Sequence, residues 1–166
     1  IELRRRNEPE NDPTTGRPFS SRRLIDCFDE GARRFGWATR ERRSEGEWLI
    51  GHGVATAARV NFLADSSARV TLSPEGRAIV ETDMTDLGTG TYTILAQVAG
   101  EALGLPIERV AVRLGDSDLP TGAGSGGSFG AASSASSVAL ACEDIVAKLA
   151  KAMGAAPEDM TLKDGH

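Results

Sequence analysis

Residues 110–130 read VAVRLGDSDLPTGAGSGGSFG, and apolar positions at Val138, Cys142, Ile145, Leu149 and Met153 follow at helical spacing. Val110, Val112 and Leu114 alternate with polar or small residues, the period of a half-buried strand. The spacing thus predicts a strand, a glycine-rich loop and a long helix that Gly154 stops. Five of the ten residues 121–130 are glycine. Ordering so much glycine costs conformational entropy that a plain connection has no reason to spend, whereas backbone wrapped closely around a ligand does.

Working outward, residues 68–73 and 76–84 alternate around Pro74-Glu75-Gly76, which predicts a hairpin. Tyr92, Leu95, Ala96, Ala99 and Leu103 form a helical stripe closed by Gly104 and Pro106. Residues 48–60, with Gly51 and Gly53, read as a long strand carrying a bulge. Nearer the start, Ser20 or Ser21 is positioned to cap a helix with Leu24, Cys27, Phe28 and Phe35 on one face and Gly36 at its end. Residues 37–46 are loop-like. Pro9, Pro13 and Gly16 make residues 1–17 an extended arm. Residues 160–163 open a further strand, and the hairpin turn Asp164-Gly165 has only His166 behind it. This predicts a domain truncated at its C-terminus, and with Ile1 rather than Met in first place the chain reads as a piece of a longer protein cut at both ends. The expected order is helix, three strands, helix, strand, helix, strand. That order is α+β, a two-layer sandwich of a mixed sheet with helices. The expected division is an arm or linker at 1–19 and one domain at 20–166.

The composition excludes several classes. At 166 residues, 40% hydrophobic and 26% charged, the chain is globular and of one-domain size. It has no apolar run of membrane-spanning length, and residues 1–11 lack the apolar core of a signal peptide. A net charge of −5 argues against nucleic acid as the main partner. Charge is uneven: residues 1–47 hold 11 arginines and 10 acids, whereas the remainder holds 8 bases and 14 acids. An arginine-rich arm beside an acidic body suits a chain that pairs with a partner. Cys27 and Cys142 both read as buried thiols.

Candidate chemistry sits at two glycine segments, each before a helix. In the first, Gly88, Thr89, Gly90 and Thr91 combine tight-turn glycines, hydroxyl donors and the free N–H groups of a helix start, a setting that receives an anion. In the second, Gly126, Gly127, Ser128, Phe129 and Gly130 lead into the long helix. They match the Gly-x-Ser-x-Gly form of a hydrolase nucleophile elbow, but no apolar strand directly precedes the serine. Only His52 and His166 are available as a base. Asp116-Ser117-Asp118, Asp83 and Asp86 read as turn formers. No catalytic or metal-ligating residue is assigned. A phosphate- or nucleotide-binding module without redox chemistry is the alternative on these residues, and a structural interaction domain is a third reading.

Taken in order, Gly88-Thr89-Gly90, then Leu114-Gly115-Asp116-Ser117-Asp118-Leu119-Pro120, then Ser125-Gly126-Gly127-Ser128 resemble the molybdenum-cofactor-binding region of xanthine dehydrogenases and aldehyde oxidases. Thr89 stands where many members have glutamine and Tyr92 where they have histidine. That form, with Asp12-Pro13 and Gly16-Arg17-Pro18-Phe19-Ser20-Ser21, is similar to a bacterial subgroup whose molybdenum subunit is a separate polypeptide. The resemblance implies molybdopterin with molybdenum, commonly as the cytosine dinucleotide, and hydroxylation of purines or aldehydes with water as oxygen source. It also implies iron–sulfur clusters and FAD on partner subunits, in the cytoplasm or in the periplasm by co-export with a partner. By position, Gly88, Thr89, Gly90 and Thr91 would bind pterin or pyrophosphate, and Gly126, Gly127, Ser128, Phe129 and Gly130 would line the face nearer the metal. The family's glutamate base has no matching segment in this sequence, so the chain alone is expected to be inactive.

Overall fold

The computed structural model describes residues 1–59 and 62–165. The chain separates into two compact units, Ile1–Ala58 and Arg59–His166. This boundary falls inside the range 20–166 that the sequence assigns to one domain.

In the first unit, α1 (Glu2–Arg6) forms where an extended arm is expected. Its charges explain the difference: Glu2 lies in the first turn, arginines fill the last, and Arg6 Nε donates to Glu2 Oε1 at 2.9 Å. Each arrangement favours the helix dipole or an i,i+4 pair. Helix α2 (Leu24–Phe35) ends at Gly36 as expected. Its N-cap is Arg23 rather than a serine, and the Arg23 guanidinium pairs with Asp26 of the first turn. Phe28 is the buried hydrophobic residue of this unit among the described residues. Cys27 is exposed, against expectation. One residue is about 100° of helical rotation, enough to swing it off a stripe as narrow as the one centred on Phe28.

The long strand expected at 48–60 is also absent. Strand β2 (Trp48–Ile50) pairs antiparallel with β1 (Arg43–Glu45), and residues 51–59 carry no regular structure. Val60 lies outside the described residues. The small residues Gly51, Gly53, Ala55, Ala57 and Ala58 leave this stretch almost no side-chain surface to pack.

The second unit is built on a mixed sheet in the order β3-β4-β5. The hairpin of β3 (Arg69–Leu72) and β4 (Ala78–Thr82) is antiparallel, and β5 (Val110–Leu114) runs parallel to β4. A parallel neighbour needs a crossover, supplied here by α3 (Thr91–Leu103). Helix α4 (Gly130–Met153) starts at the last glycine of the second glycine segment. Ala78 and Val80 of β4 form one core with Leu95, Ala99 and Leu103 of α3 and Val138 and Cys142 of α4. Val80, Leu95 and Val138 are fully buried, each contributing about 1.5–3 kcal/mol. The stripe on α3 begins at Thr91 and Leu95 rather than at Tyr92, which stays half exposed. Cys142 is buried as expected, and burial pushes its thiol up to about 11.

On the opposite face of the sheet, Glu81 accepts hydrogen bonds from Arg69 at 2.7 Å and Arg113 at 3.2 Å, its cross-strand neighbours on either side. No strand forms at 160–163. This segment packs beside Gly104 instead, with the Gly165 N–H donating to the Gly104 carbonyl at 3.0 Å.

Candidate functional site

The residues that leave β4 organise the site. Thr82 is fully buried, and its hydroxyl reaches the carbonyls of Ser67, at 2.9 Å, and Pro120, at 3.3 Å. The Asp83 N–H donates to the Pro120 carbonyl at 2.8 Å, and the Ser67 N–H to Thr121 at 2.7 Å. Asp83 then accepts from the Gly122 N–H with its carboxylate, and the Thr85 carbonyl accepts from the Ser125 hydroxyl. The start of the second glycine segment is thereby tied to the strand end.

Its close is tied by shape. A Cβ on Gly122 would lie 2.7 Å from Thr82 Oγ1 and 2.9 Å from Met84 N, and one on Gly130 would lie 2.5 Å from the Gly124 carbonyl oxygen and 2.7 Å from Met84 Cε. Only glycine permits these approaches. Met84 is buried, so the loop folds over it rather than over solvent.

The first glycine segment hangs from the same strand exit. Asp86 Oδ1 accepts from the N–H groups of Gly88 and Thr89, both at 2.8 Å, and Oδ2 accepts from Tyr92 at 3.4 Å. Burial works against the Asp86 charge, yet the N–H groups of Gly88, Tyr92 and Thr89 outweigh it and hold the carboxyl below its ordinary pKa. The turn-forming role expected of Asp86 is met. Asp83 instead reaches across to the other glycine segment, 39 residues away.

The two segments therefore differ as anion receivers. At the first, Asp86 already uses the N–H groups of Gly88, Thr89 and Tyr92, and the Thr89 and Thr91 hydroxyls bond each other at 3.0 Å. The Gly90 and Thr91 N–H groups have no acceptor among the described residues, and the space around Gly88 and Gly90 is open. At the second, the N–H groups of Gly126, Gly127, Ser128, Gly130, Ala131 and Ala132 have no acceptor among the described residues. No carboxylate bonds this helix start among those residues. Gly124 faces open space. The polar lining, supplied by fixed backbone donors at two helix starts, suits a pyrophosphate or pterin. The residues present thus fit a molybdopterin group.

Phe129 packs on Phe62, with ring centroids 4.7 Å apart, and the Ser128 carbonyl accepts from the Arg59 guanidinium. Ser133, on the first turn of α4, joins its hydroxyl to the Phe129 carbonyl at 2.8 Å and accepts the Ala64 N–H at 3.0 Å. Sequence reasoning missed Arg59 and Phe62, and took Asp83 only as a turn former. Their partners are distant in sequence, and no local pattern marks them. Asp116-Ser117-Asp118 forms the expected turn, with the Asp118 N–H donating to Asp116 Oδ1 at 3.0 Å. No cluster of three potential metal-ligating side chains occurs among the described residues.

Residues 30–166 match the molybdopterin cofactor-binding domain family. The chain is 51% identical over 170 residues to the aldehyde oxidoreductase molybdenum-binding subunit PaoC of Escherichia coli (strain K12), covering 99% of this chain and 23% of that protein. It is 28% identical to the putative xanthine dehydrogenase molybdenum-binding subunit XdhA of the same organism, over 100% of this chain and 24% of that one. The chain thus spans about a quarter of the length of these relatives. Among solved structures, it resembles the reconstituted CO dehydrogenase from Oligotropha carboxidovorans with a TM-score of 0.51 and 26% identity, over 58% of this chain and 13% of that one. A Cu,Mo-CO dehydrogenase in its carbon monoxide reduced state gives 0.52 at 26% identity, over 60% of this chain and 13% of that one. With its mixed sheet, its two glycine segments and the match over residues 30–166, the chain belongs to the molybdopterin cofactor-binding domain family.

Proposed function

We propose that this chain forms one wall of the cofactor site of a molybdenum hydroxylase acting on an aldehyde or a purine with oxygen from water. The observation that carries the reading is the free donor row at the start of α4. The N–H groups of Gly126, Gly127, Ser128 and Gly130 have no acceptor among the described residues, on a loop whose ends are tied down. Preorganised backbone donors bind a polyanion without reorganising when it arrives. Gly90 and Thr91 add the second set of donors, and Gly88, Thr89 and Phe129 shape the walls. When bound, the molybdopterin group supplies the two-electron redox chemistry.

No residue of this chain is given a catalytic or metal-ligating role; its residues bind and orient the cofactor. The same reading takes the domain as a two-layer sandwich of sheet and helices, with residues 1–19 as an arm. It takes the cofactor in its cytosine dinucleotide form, with iron–sulfur and FAD subunits as partners that carry electrons away. It places the complex in the cytoplasm, or in the periplasm after co-export with a partner. Among the described residues, no helix is long and apolar enough to cross a membrane.

The 51% identity to an aldehyde oxidoreductase subunit, against 28% to a xanthine dehydrogenase subunit, favours an aldehyde. The test is molybdenum, pterin and cytidine monophosphate content of the intact protein, followed by turnover of an aldehyde and purine panel. Aldehyde oxidation with one cofactor per polypeptide supports the reading. A protein made with full cofactor supply that carries neither molybdenum nor pterin overturns it.

A further inference from the structure

Ser128 adopts φ +58°, a left-handed conformation that, among the described residues, only Asp164 shares outside glycine. Gly127, beside it, is also left-handed, at φ +49°. Left-handed backbone is disfavoured for serine, so neighbouring structure has to hold it. The Phe129 N–H closes the turn by donating to the Gly126 carbonyl at 3.1 Å, and two side chains from elsewhere in the sequence support it. The Arg59 guanidinium donates to the Ser128 carbonyl and fixes the peptide that joins Ser128 to Phe129. Phe62 packs on Phe129 at 4.7 Å with the rings inclined by 33°. The position a Cβ would take on Gly127 lies 3.3 Å from Phe129 Cδ1 and 3.9 Å from Phe62 Cε1, so the ring pair closes over the glycine backbone. Phe62 is nevertheless 46% exposed and Arg59 is exposed. Neither belongs to the core cluster.

We propose that Arg59 and Phe62 are positioning residues that clamp the second glycine loop in its cofactor-receiving form, a role that rests on the function proposed above. Arg59 sets the peptide plane at Ser128, and Phe62 sets the ring of Phe129. Together they keep the N–H groups of Gly126, Gly127 and Ser128 in one arrangement before the cofactor arrives. Preorganisation of this kind lengthens the residence of a bound group without adding a contact to it.

The test compares the intact protein with Arg59→Ala, Arg59→Lys and Phe62→Ala, each also placed in a Ser128→Gly background. Molybdenum and pterin retained during dialysis give the cofactor half-life, and thermal unfolding of the cofactor-free protein reports the fold. Arg59→Ala and Phe62→Ala each shorten the half-life by about three- to tenfold, the range for one hydrogen bond or one aromatic pair. The unfolding midpoint of the cofactor-free protein falls only by the small amount that one lost surface contact allows. Arg59→Lys, which keeps a cationic donor, recovers most of the loss. With Ser128→Gly the backbone no longer needs holding, so the Arg59→Ala loss shrinks to below about twofold. Parent-like half-lives in both alanine variants overturn the clamp, as does an equal Arg59→Ala loss in the two backgrounds. A parent protein that never acquires molybdenum or pterin overturns the cofactor reading, and the clamp with it.

Discussion

Gly130→Ala probes the point where the second glycine loop meets the fold. The new Cβ would lie 2.5 Å from the Gly124 carbonyl oxygen and 2.7 Å from Met84 Cε, where ordinary contacts begin at 3.4 Å. Met84 is 2% exposed and cannot swing into solvent. The carbonyl therefore has to retreat by about 0.9 Å, carrying the loop with it. Overpacking of this kind costs about 1–3 kcal/mol, and alanine regains at most about 1 kcal/mol through helix propensity. The net loss is about 1–2 kcal/mol. Gly126→Ala is the internal control. Its φ is not positive, and its Cβ would meet only Phe129 Cε1, at 3.8 Å. That change stays within about 0.5 kcal/mol. Urea unfolding of the cofactor-free intact protein separates the two, and Gly130→Ala also loses cofactor faster on dialysis. Equal stability for the two variants refutes the close-approach reasoning.

Three further outcomes follow from the same structure. Thr82→Val leaves the Ser67 and Pro120 carbonyls without their shared hydroxyl donor, costing about 1–2 kcal/mol by urea unfolding; an unchanged midpoint removes Thr82 from the strand-exit network. Alkylation at pH 8 followed by peptide mapping marks the exposed Cys27 first. Cys142, buried and with its thiol raised to about 11, reacts only after unfolding, and early labelling of Cys142 contradicts its burial. The Glu81 carboxyl lies below its ordinary pKa chiefly through the Arg69 hydrogen bond, against burial and with help from Arg113. A depressed folded pKa means stabilisation that is present above the unfolded value and lost as pH falls through the folded one. Acid should thus lower the melting temperature of the parent more steeply than that of Glu81→Gln below about pH 4.5, and parallel profiles refute this.

Periodicity reveals the core of the second unit because its elements bury regular stripes. Val110, Val112 and Leu114 form β5, the hairpin at Pro74-Glu75-Gly76 joins β3 to β4, and Val138 and Cys142 mark the inner face of α4. The first unit is less legible. It buries little, so charge pairs and single contacts decide it: Glu2 pairs with Arg6 in a helix where the sequence predicts an extended arm, and small residues after Ile50 disfavour a long strand. The two glycine segments are visible as composition, but their common origin at the β4 exit is not. That link runs through Asp83 to Gly122 and through Ser125 to Thr85, pairs that only tertiary structure brings together. Asp86 was legible as a turn former, since its partners lie within six residues.

The most direct measurement is an experimental structure of the intact, cofactor-loaded protein. The account predicts cofactor oxygen, nitrogen or sulfur atoms within hydrogen-bonding reach, about 3.2 Å for oxygen, of the N–H groups of Gly126, Gly127 or Ser128. It predicts a second set of contacts at Gly90 or Thr91. A loaded protein whose cofactor touches neither glycine segment contradicts it.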